Sequence, residues 1–334
     1  MKKLPRVSIV GATGLVGRSL LDLLAQRKFP LSELTLFASS RSARKTMDFL
    51  DDELEVEELT AEAFREKTDL ALCSAGRKVS YMLRDWIEGT DIVVVDNSSA
   101  FRMNDEVPLV IPEVNPEALV GHRGYIANPN CSTIQLVMAL KPILDNFGLR
   151  RVVMSTYQSV SGAGQAGIDE LSAQTVALFN QESWEPKIFP YQIAFNAIPQ
   201  IGPFGPDGYS EEELKATNET RKILGLPDLG ISCTAVRIHT FACHGESVMV
   251  ETEKETSPEE LRAVLAAFPG VKVVDGPEDN LYPVPSMTVD LNDVFVGRIR
   301  RDLSAPNSFH LWIVADNVLK GAALNAVQIA EALL

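Results

Sequence analysis

Residues 7–17 read Val7-Ser8-Ile9-Val10-Gly11-Ala12-Thr13-Gly14-Leu15-Val16-Gly17. A run that suits a buried strand meets three spaced glycines, and Leu20, Leu21, Leu23 and Leu24 then recur with a helical period. A strand, a glycine turn and a helix make a dinucleotide-binding start. The glycines let the backbone approach a pyrophosphate, and the helix N-terminus receives its charge. The spacing is GxxGxxG rather than GxGxxG, so its position directly after the first strand gives the motif its weight. Gly11, Ala12, Thr13, Gly14, Leu15 and Val16 are therefore candidate cofactor-binding residues.

Outward from this turn, residues 34–38 read as a second strand. In NAD-binding units an acidic residue near its end holds the ribose 2′-hydroxyl. Here Ser39, Ser40, Arg41 and Ser42 follow, with Arg44 and Lys45 beyond, and no carboxylate. Hydroxyls and cations suit a 2′-phosphate, so the expected cofactor is NADP rather than NAD. Residues 70–76 form a strand ending in small residues, Ser74 and Ala75, over which a cofactor can lie. Residues 92–96 are nearly all β-branched, as a strand buried on both faces requires. Asn97 and Arg102 leave its carboxyl end, where ligands bind in open α/β sheets. Arg102 can clamp a phosphate or carboxylate with paired hydrogen bonds.

The stretch 125–133 is Tyr-Ile-Ala-Asn-Pro-Asn-Cys-Ser-Thr, followed by a helical pattern from Ile134. Cys131 should therefore sit at a helix N-terminus, where unpaired N–H groups favour an anion and lower a thiol pKa. A small buried cysteine beside a tight turn is the alternative. Residues 151–160 read as the first strand of a second unit, closed by a glycine-rich turn with Ser161 and Gly162 that can cover the cofactor. Gln158 is a neutral amide suited to orienting a carbonyl. Ser210 with Glu213 makes a capping box, and on that helix Glu212 and Lys215 share a face. Residues 233–244 read as one strand or a bulged strand. Arg237 and His244 lie on it, and both reach one site only if it bends or ends between them. The last helix, from Gly321, could return to the first unit, making the cofactor domain discontinuous.

Composition sets the bounds. The chain has 334 residues, 46% hydrophobic and 23% charged, with a formal net charge of −14. That length suggests two domains. The acidic balance argues against nucleic-acid binding, which leaves a basic footprint. No apolar run approaches the ~20 residues that cross a bilayer. Lys2 and Lys3 precede a strand that runs straight into glycines, so a signal peptide is not expected. Four cysteines without CxxC pairs or metal-ligand spacing fit reduced, cytoplasmic thiols and no metal.

The chain resembles the aspartate-β-semialdehyde dehydrogenase family along essentially its whole length. The resemblance is carried by GATGLVG at 11–17, SSRS at 39–42, DNSSAFR at 96–102, IPEVN at 111–115, NPNCST at 128–133 and YQSVSGAG at 157–164. It continues through FNAIPQIG at 195–202, EEELKATNETRKIL at 211–224, VRIHTFACHGES at 236–247 and DNVLKGAALNAVQ at 316–328. It implies an α/β protein with a Rossmann-type NADP-binding domain, 1–130 plus 316–334. A catalytic and dimerisation domain of glyceraldehyde-3-phosphate-dehydrogenase-like α+β type would span 131–315.

The implied reaction is NADPH-dependent reduction of L-aspartyl 4-phosphate to L-aspartate 4-semialdehyde with release of phosphate. Its product feeds lysine, methionine, threonine and isoleucine synthesis. By resemblance Cys131 is the nucleophile, His244 the acid/base and Gln158 the orienting amide. Arg237 would hold the substrate α-carboxylate and Glu212 its α-ammonium; Arg102, Lys215 and Asn130 would bind phosphate. Asn317 joins the cofactor-binding set. The family also implies a homodimer or a dimer of dimers. Two departures stand out: His239 where proline is usual, and Gly245 where serine is usual. Alternatives are an N-acetylglutamyl-phosphate reductase and a non-catalytic nucleotide-binding homologue.

Overall fold

The computed structural model describes residues 4–334; Lys2 and Lys3 lie outside the described residues. The chain divides into two compact units. One runs to Asn130 and takes in Ala322–Leu334, and the other is Cys131–Gly321.

In the first unit, β1 (Arg6–Val10) leads into α1 (Leu15–Gln26) and β2 (Glu33–Ala38). A hairpin of β3 (Thr46–Phe49) and β4 (Asp52–Glu58) follows, which the sequence reading missed. Its residues alternate between polar and apolar types, with Met47, Phe49, Leu54 and Val56 on the less exposed side, a strand signal that the reading passed over. Then come α2 (Ala61–Lys67), β5 (Leu70–Cys73), α3 (Arg77–Trp86), β6 (Val93–Asp96) and β7 (Tyr125–Ala127). The sheet order is β3-β4-β2-β1-β5-β6-β7, parallel except for the β3–β4 hairpin. The order reverses at β1, so the glycine turn stands at the topological switch point.

The second unit opens with α4 (Cys131–Phe147), β8 (Arg151–Gln158), α5 (Gln165–Phe179), β9 (Ala197–Ile198) and α6 (Glu211–Leu224). It continues with β10 (Gly230–Ile238), β11 (His244–Glu251), α7 (Pro258–Ala267), β12 (Val271–Val273), α8 (Pro285–Thr288), β13 (Val294–Arg301) and β14 (Ser308–Ala315). Its mixed sheet runs β12-β13-β14-β11-β8-β10-β9, and α4 packs on it beside α6 and α7. Capping boxes open α6 at Ser210 with Glu213 and α7 at Ser257 with Glu260, each satisfying helix-start donors for about 1 kcal/mol.

The 233–244 segment is two strands rather than one. β10 ends at Ile238, and Cys243 turns the chain with a φ of +65° before β11 starts at His244. Such a backbone is uncommon for a non-glycine residue, and here it reverses the chain within five residues.

The closing helix, α9 (Leu324–Ala332), belongs to the first unit. Asn325 Nδ2 donates to Val110 O at 2.9 Å and Asn128 Oδ1 at 2.7 Å, and Arg27 pairs with Glu331 at 2.7 Å. The return begins at 322 rather than at the expected 316. Residues 316–321 stay in the second unit, where Asp316 Oδ2 accepts the Asp290 N–H at 3.0 Å and Asn317 bonds Ser159 and Ser161. The π-turn Leu319–Ala323 precedes α9, where a regular helix was expected. No helix among the described residues is long and apolar enough to cross a membrane.

Candidate active site

In the first unit the site is mostly backbone. Gly14 caps α1 with no side-chain bond, and the first turn holds no acidic residue. The N–H groups there stay available to an anion. Gly11 has a φ of +89°, and a Cβ on Gly17 would stand 2.2 Å from Gly11 O. Neither position admits another residue without moving the turn. This open cradle fits a dinucleotide pyrophosphate at Gly11, Ala12, Thr13, Gly14, Leu15 and Val16.

After β2, Ser42 N–H bonds Ser39 O in a tight turn, and Ser39, Ser40 and Arg41 are exposed. The missed strand β4 adds a carboxylate that the sequence reading did not count. Glu58 lies in register with Ala38 at the end of β2 and is exposed.

At the ends of β5 and β6, Asn97 Nδ2 donates to Cys73 O at 3.1 Å, and its Oδ1 accepts from Asn128 at 2.7 Å. Both ends of that amide therefore brace the unit. Ser74 and Ala75 lead from β5 to α3, whose capping residue Gly76 has open space where a Cβ would be. Arg102 is buried and donates to Asn97 O at 2.7 Å. Asn130, the residue before α4, is buried as well.

In the second unit the site is made of side chains. Register aligns Arg237 of β10 with Gln158 of β8, Gln158 with His244 of β11, and His244 with Ala315 of β14. Residues in register project from the same face, so Arg237, Gln158 and His244 form one buried row across three strands. Their exposures are 6%, 1% and 0%. A Cβ on Gly162 would stand 2.6 Å from Arg237 Nη1 and 3.3 Å from His244 Nε2. Glycine there leaves both groups open.

Around the row, Gln158 Nε2 donates to Glu212 Oε1 at 3.3 Å. Lys215 Nζ lies 3.2 Å from Glu211 and 3.5 Å from Glu212. Cys131 is the first residue of α4 and is half-buried. Burial pulls the Arg237 guanidinium below its usual range, while Glu212 and Cys131 pull it back up. Burial, reinforced by Arg237, drives the His244 imidazole down to about 3. At neutral pH the ring is uncharged. By contrast burial pushes the Cys73 and Cys233 thiols up, and Cys243 up to about 12, so these three are core groups.

Of the two histidines in the 236–247 motif, the structure brings His244 to the row. His239 is exposed, with Nδ1 3.0 Å from Asn196 O. Gly245 also gains a reason: a Cβ there would stand 2.8 Å from the Trp312 ring.

Three contributors escaped the sequence reading. Ser159 bonds His244 and Arg237, and nothing but its place beside Gln158 marks it. Glu246 is fully buried two residues after His244; its signal is a carboxylate in phase with Val248 and Val250. Gly321 faces Cys131, where a Cβ would stand 2.9 Å from the cysteine Cβ. No group of three metal-ligating side chains occurs among the described residues.

A nucleotide-binding unit followed by a unit with a half-buried cysteine and a buried Arg–Gln–His row places the chain in a class of two-domain dehydrogenases. The family comparisons agree. Residues 6–122 match the semialdehyde dehydrogenase NAD binding domain, and residues 140–320 match the semialdehyde dehydrogenase dimerisation domain.

The chain is 50% identical to the aspartate-semialdehyde dehydrogenase of Bacillus subtilis (strain 168), over 98% of this chain and 96% of the relative. It is 52% identical to that of Aquifex aeolicus (strain VF5), over 98% of each. The crystal structure of aspartate semialdehyde dehydrogenase II from Vibrio cholerae, complexed with ASA, superposes with a TM-score of 0.96 at 44% identity, covering 100% of this chain and 98% of that one. The chain belongs to the aspartate-semialdehyde dehydrogenase family.

Proposed function

We propose that this protein interconverts L-aspartyl 4-phosphate and L-aspartate 4-semialdehyde through a thioester on Cys131, using NADP. The observation that carries the reading is the buried Arg237–Gln158–His244 row, in the unit that opens with Cys131, in a chain so similar to these dehydrogenases from end to end.

An acyl phosphate is too reactive for controlled one-step reduction. Cys131 as thiolate attacks the acyl carbon, the C–O bond to phosphate breaks, and phosphate leaves. This divides one hard step into two easier ones. The nicotinamide, when bound, supplies the hydride that turns the thioester into a thiohemiacetal oxyanion. Collapse of that oxyanion breaks the C–S bond, frees the aldehyde and restores the thiolate.

Both tetrahedral species carry charge on oxygen. His244 and the N–H groups at the start of α4 are the donors we assign to it; losing such a donor costs about 10²–10³ in rate. Gln158 orients the carbonyl. Arg237 binds the α-carboxylate and Glu212 the α-ammonium, so the substrate is held at the end away from the reacting carbon. For the phosphate we assign Arg102, Asn130 and Lys215.

For the cofactor we assign Gly11, Ala12, Thr13, Gly14, Leu15, Val16, Ser39, Ser40, Arg41, Ser42, Ser74, Ala75 and Asn97 of the first unit. Ser161, Gly162 and Asn317 of the second complete the set. NADP over NAD is inferred from the hydroxyls and Arg41 after β2. We also infer a homodimer, supported by the match to a dimerisation domain; a dimer of dimers would double the mass seen in solution.

The test is formation of NADPH from aspartate semialdehyde, phosphate and NADP⁺. Turnover that needs all three and disappears in Cys131→Ala supports the reading. Undiminished turnover in that variant removes Cys131 from its role.

A further inference from the structure

We propose that Ser159 is the positioning residue of this site, fixing His244 as the Nε2–H tautomer so that the ring serves the reaction as a hydrogen-bond donor. The inference rests on the placing of His244 under the proposed function and adds the state of its ring.

Three contacts converge on one residue. The Ser159 backbone N–H donates to His244 Nδ1 at 3.1 Å. The Ser159 hydroxyl lies 3.1 Å from the same nitrogen. The Ser159 carbonyl accepts from Arg237 Nη1 at 2.6 Å. One residue thus holds both outer members of the row.

A backbone N–H can only donate, so Nδ1 must present its lone pair to it. A ring protonated at Nδ1 would set two hydrogens against each other. A neutral imidazole with a bare Nδ1 carries its proton on Nε2. That nitrogen is buried, has no hydrogen-bond partner among the described residues, and lies beside the space left by Gly162. A buried N–H in that state is costly until something accepts from it. A substrate oxygen that gains negative charge is the acceptor the site offers.

The serine is itself held in place. Its hydroxyl lies 2.9 Å from Ser161 Oγ and donates to Asn317 Oδ1 at 3.2 Å. Asn317 Oδ1 also accepts from Ser161, and Asn317 Nδ2 donates back to Ser161 Oγ at 3.0 Å. Burial and the neighbouring Arg237 charge both oppose the imidazolium, so the ring stays neutral.

The experiment is ¹⁵N NMR of the full chain labelled at the histidine imidazoles, without substrate. The chain has four histidines, and His244→Asn identifies the signals of interest by their loss. A protonated Nε2 with a bare Nδ1 at neutral pH is expected. A bare Nε2, or an imidazolium, overturns the proposal. Ser159→Ala keeps the backbone donor but removes the hydroxyl links, so the tautomer should persist while kcat falls about tenfold with KM within about twofold, and Ser159→Thr should recover most of the loss. An unchanged kcat in Ser159→Ala also overturns it. Failure of the proposed function would show separately, as full turnover in His244→Asn.

Discussion

The two units build their halves of the chemistry in opposite ways. In the first, the groups we assign to the ligand are backbone atoms at one turn, made available because Gly11, Gly14 and Gly17 carry no side chains. In the second, they are side chains from three strands, made adjacent by register. A backbone cradle is specified by a short contiguous motif. A row across a sheet is specified by pairings between residues as far apart as Gln158 and His244. The first should be sensitive to added bulk and indifferent to side-chain chemistry; the second should respond to each functional group.

Removing the sulfur breaks the second half alone. Cys131→Ala should lower kcat by at least about 10⁴-fold while NADP affinity stays within about twofold. Steady-state turnover and equilibrium nucleotide binding on the same sample check this, and a large loss of nucleotide binding would blur the division drawn between the units.

Bulk can be added on either side. Gly321→Ala places a methyl 2.9 Å from Cys131 Cβ. A displaced nucleophile should cost about 10–10²-fold in kcat with nucleotide binding unchanged. Gly17→Ala, whose Cβ would meet Gly11 O, should instead weaken nucleotide binding and lower stability by roughly 1–3 kcal/mol. Calorimetry and a nucleotide titration separate the two.

Arg41 sharpens the comparison, as a side chain asked to confer specificity in a backbone-dominated site. Arg41→Ala should raise KM for NADP about tenfold and leave KM for NAD unchanged, the loss of one charge-assisted contact. Equal effects on both cofactors would remove Arg41 from 2′-phosphate recognition.

A further contrast concerns pH. Burial raises the Glu246 carboxyl well above its ordinary range, opposed by Gln135 of α4. The folded chain keeps a proton that the unfolded chain loses above ~4.5, so stability falls as pH rises from there toward the folded value. His244 runs the other way. Its folded value is about 3, so stability falls as pH drops below the unfolded ~6.5. Glu246→Gln should flatten the alkaline decline by up to about 1.4 kcal/mol per pH unit, and His244→Asn the acid one. Denaturant midpoints across pH measure both slopes.

Much of this was legible in advance, for physical reasons that differ by residue. The GxxGxxG turn, the strand pattern at 92–96 and the capping box at Ser210 are local: propensity, burial and capping act within a few residues. The β3–β4 hairpin was legible but missed: Met47, Phe49, Leu54 and Val56 alternate with polar residues in two short, charge-rich strands, and with the hairpin went the exposed Glu58 beside Ala38. The 233–244 segment looked continuous because Cys243 adopts a backbone that composition does not favour.

The sequence alone determined the nucleotide-binding start and the cysteine at a helix N-terminus, because each follows from residues that are neighbours in the chain, while the cysteine's distant partners were named by family resemblance. Only the tertiary structure decided that Arg237, Gln158 and His244 stand in one buried row and that Ser159 holds two of its members. Strand register and close packing join residues distant in the chain, and no local pattern encodes which of them will meet.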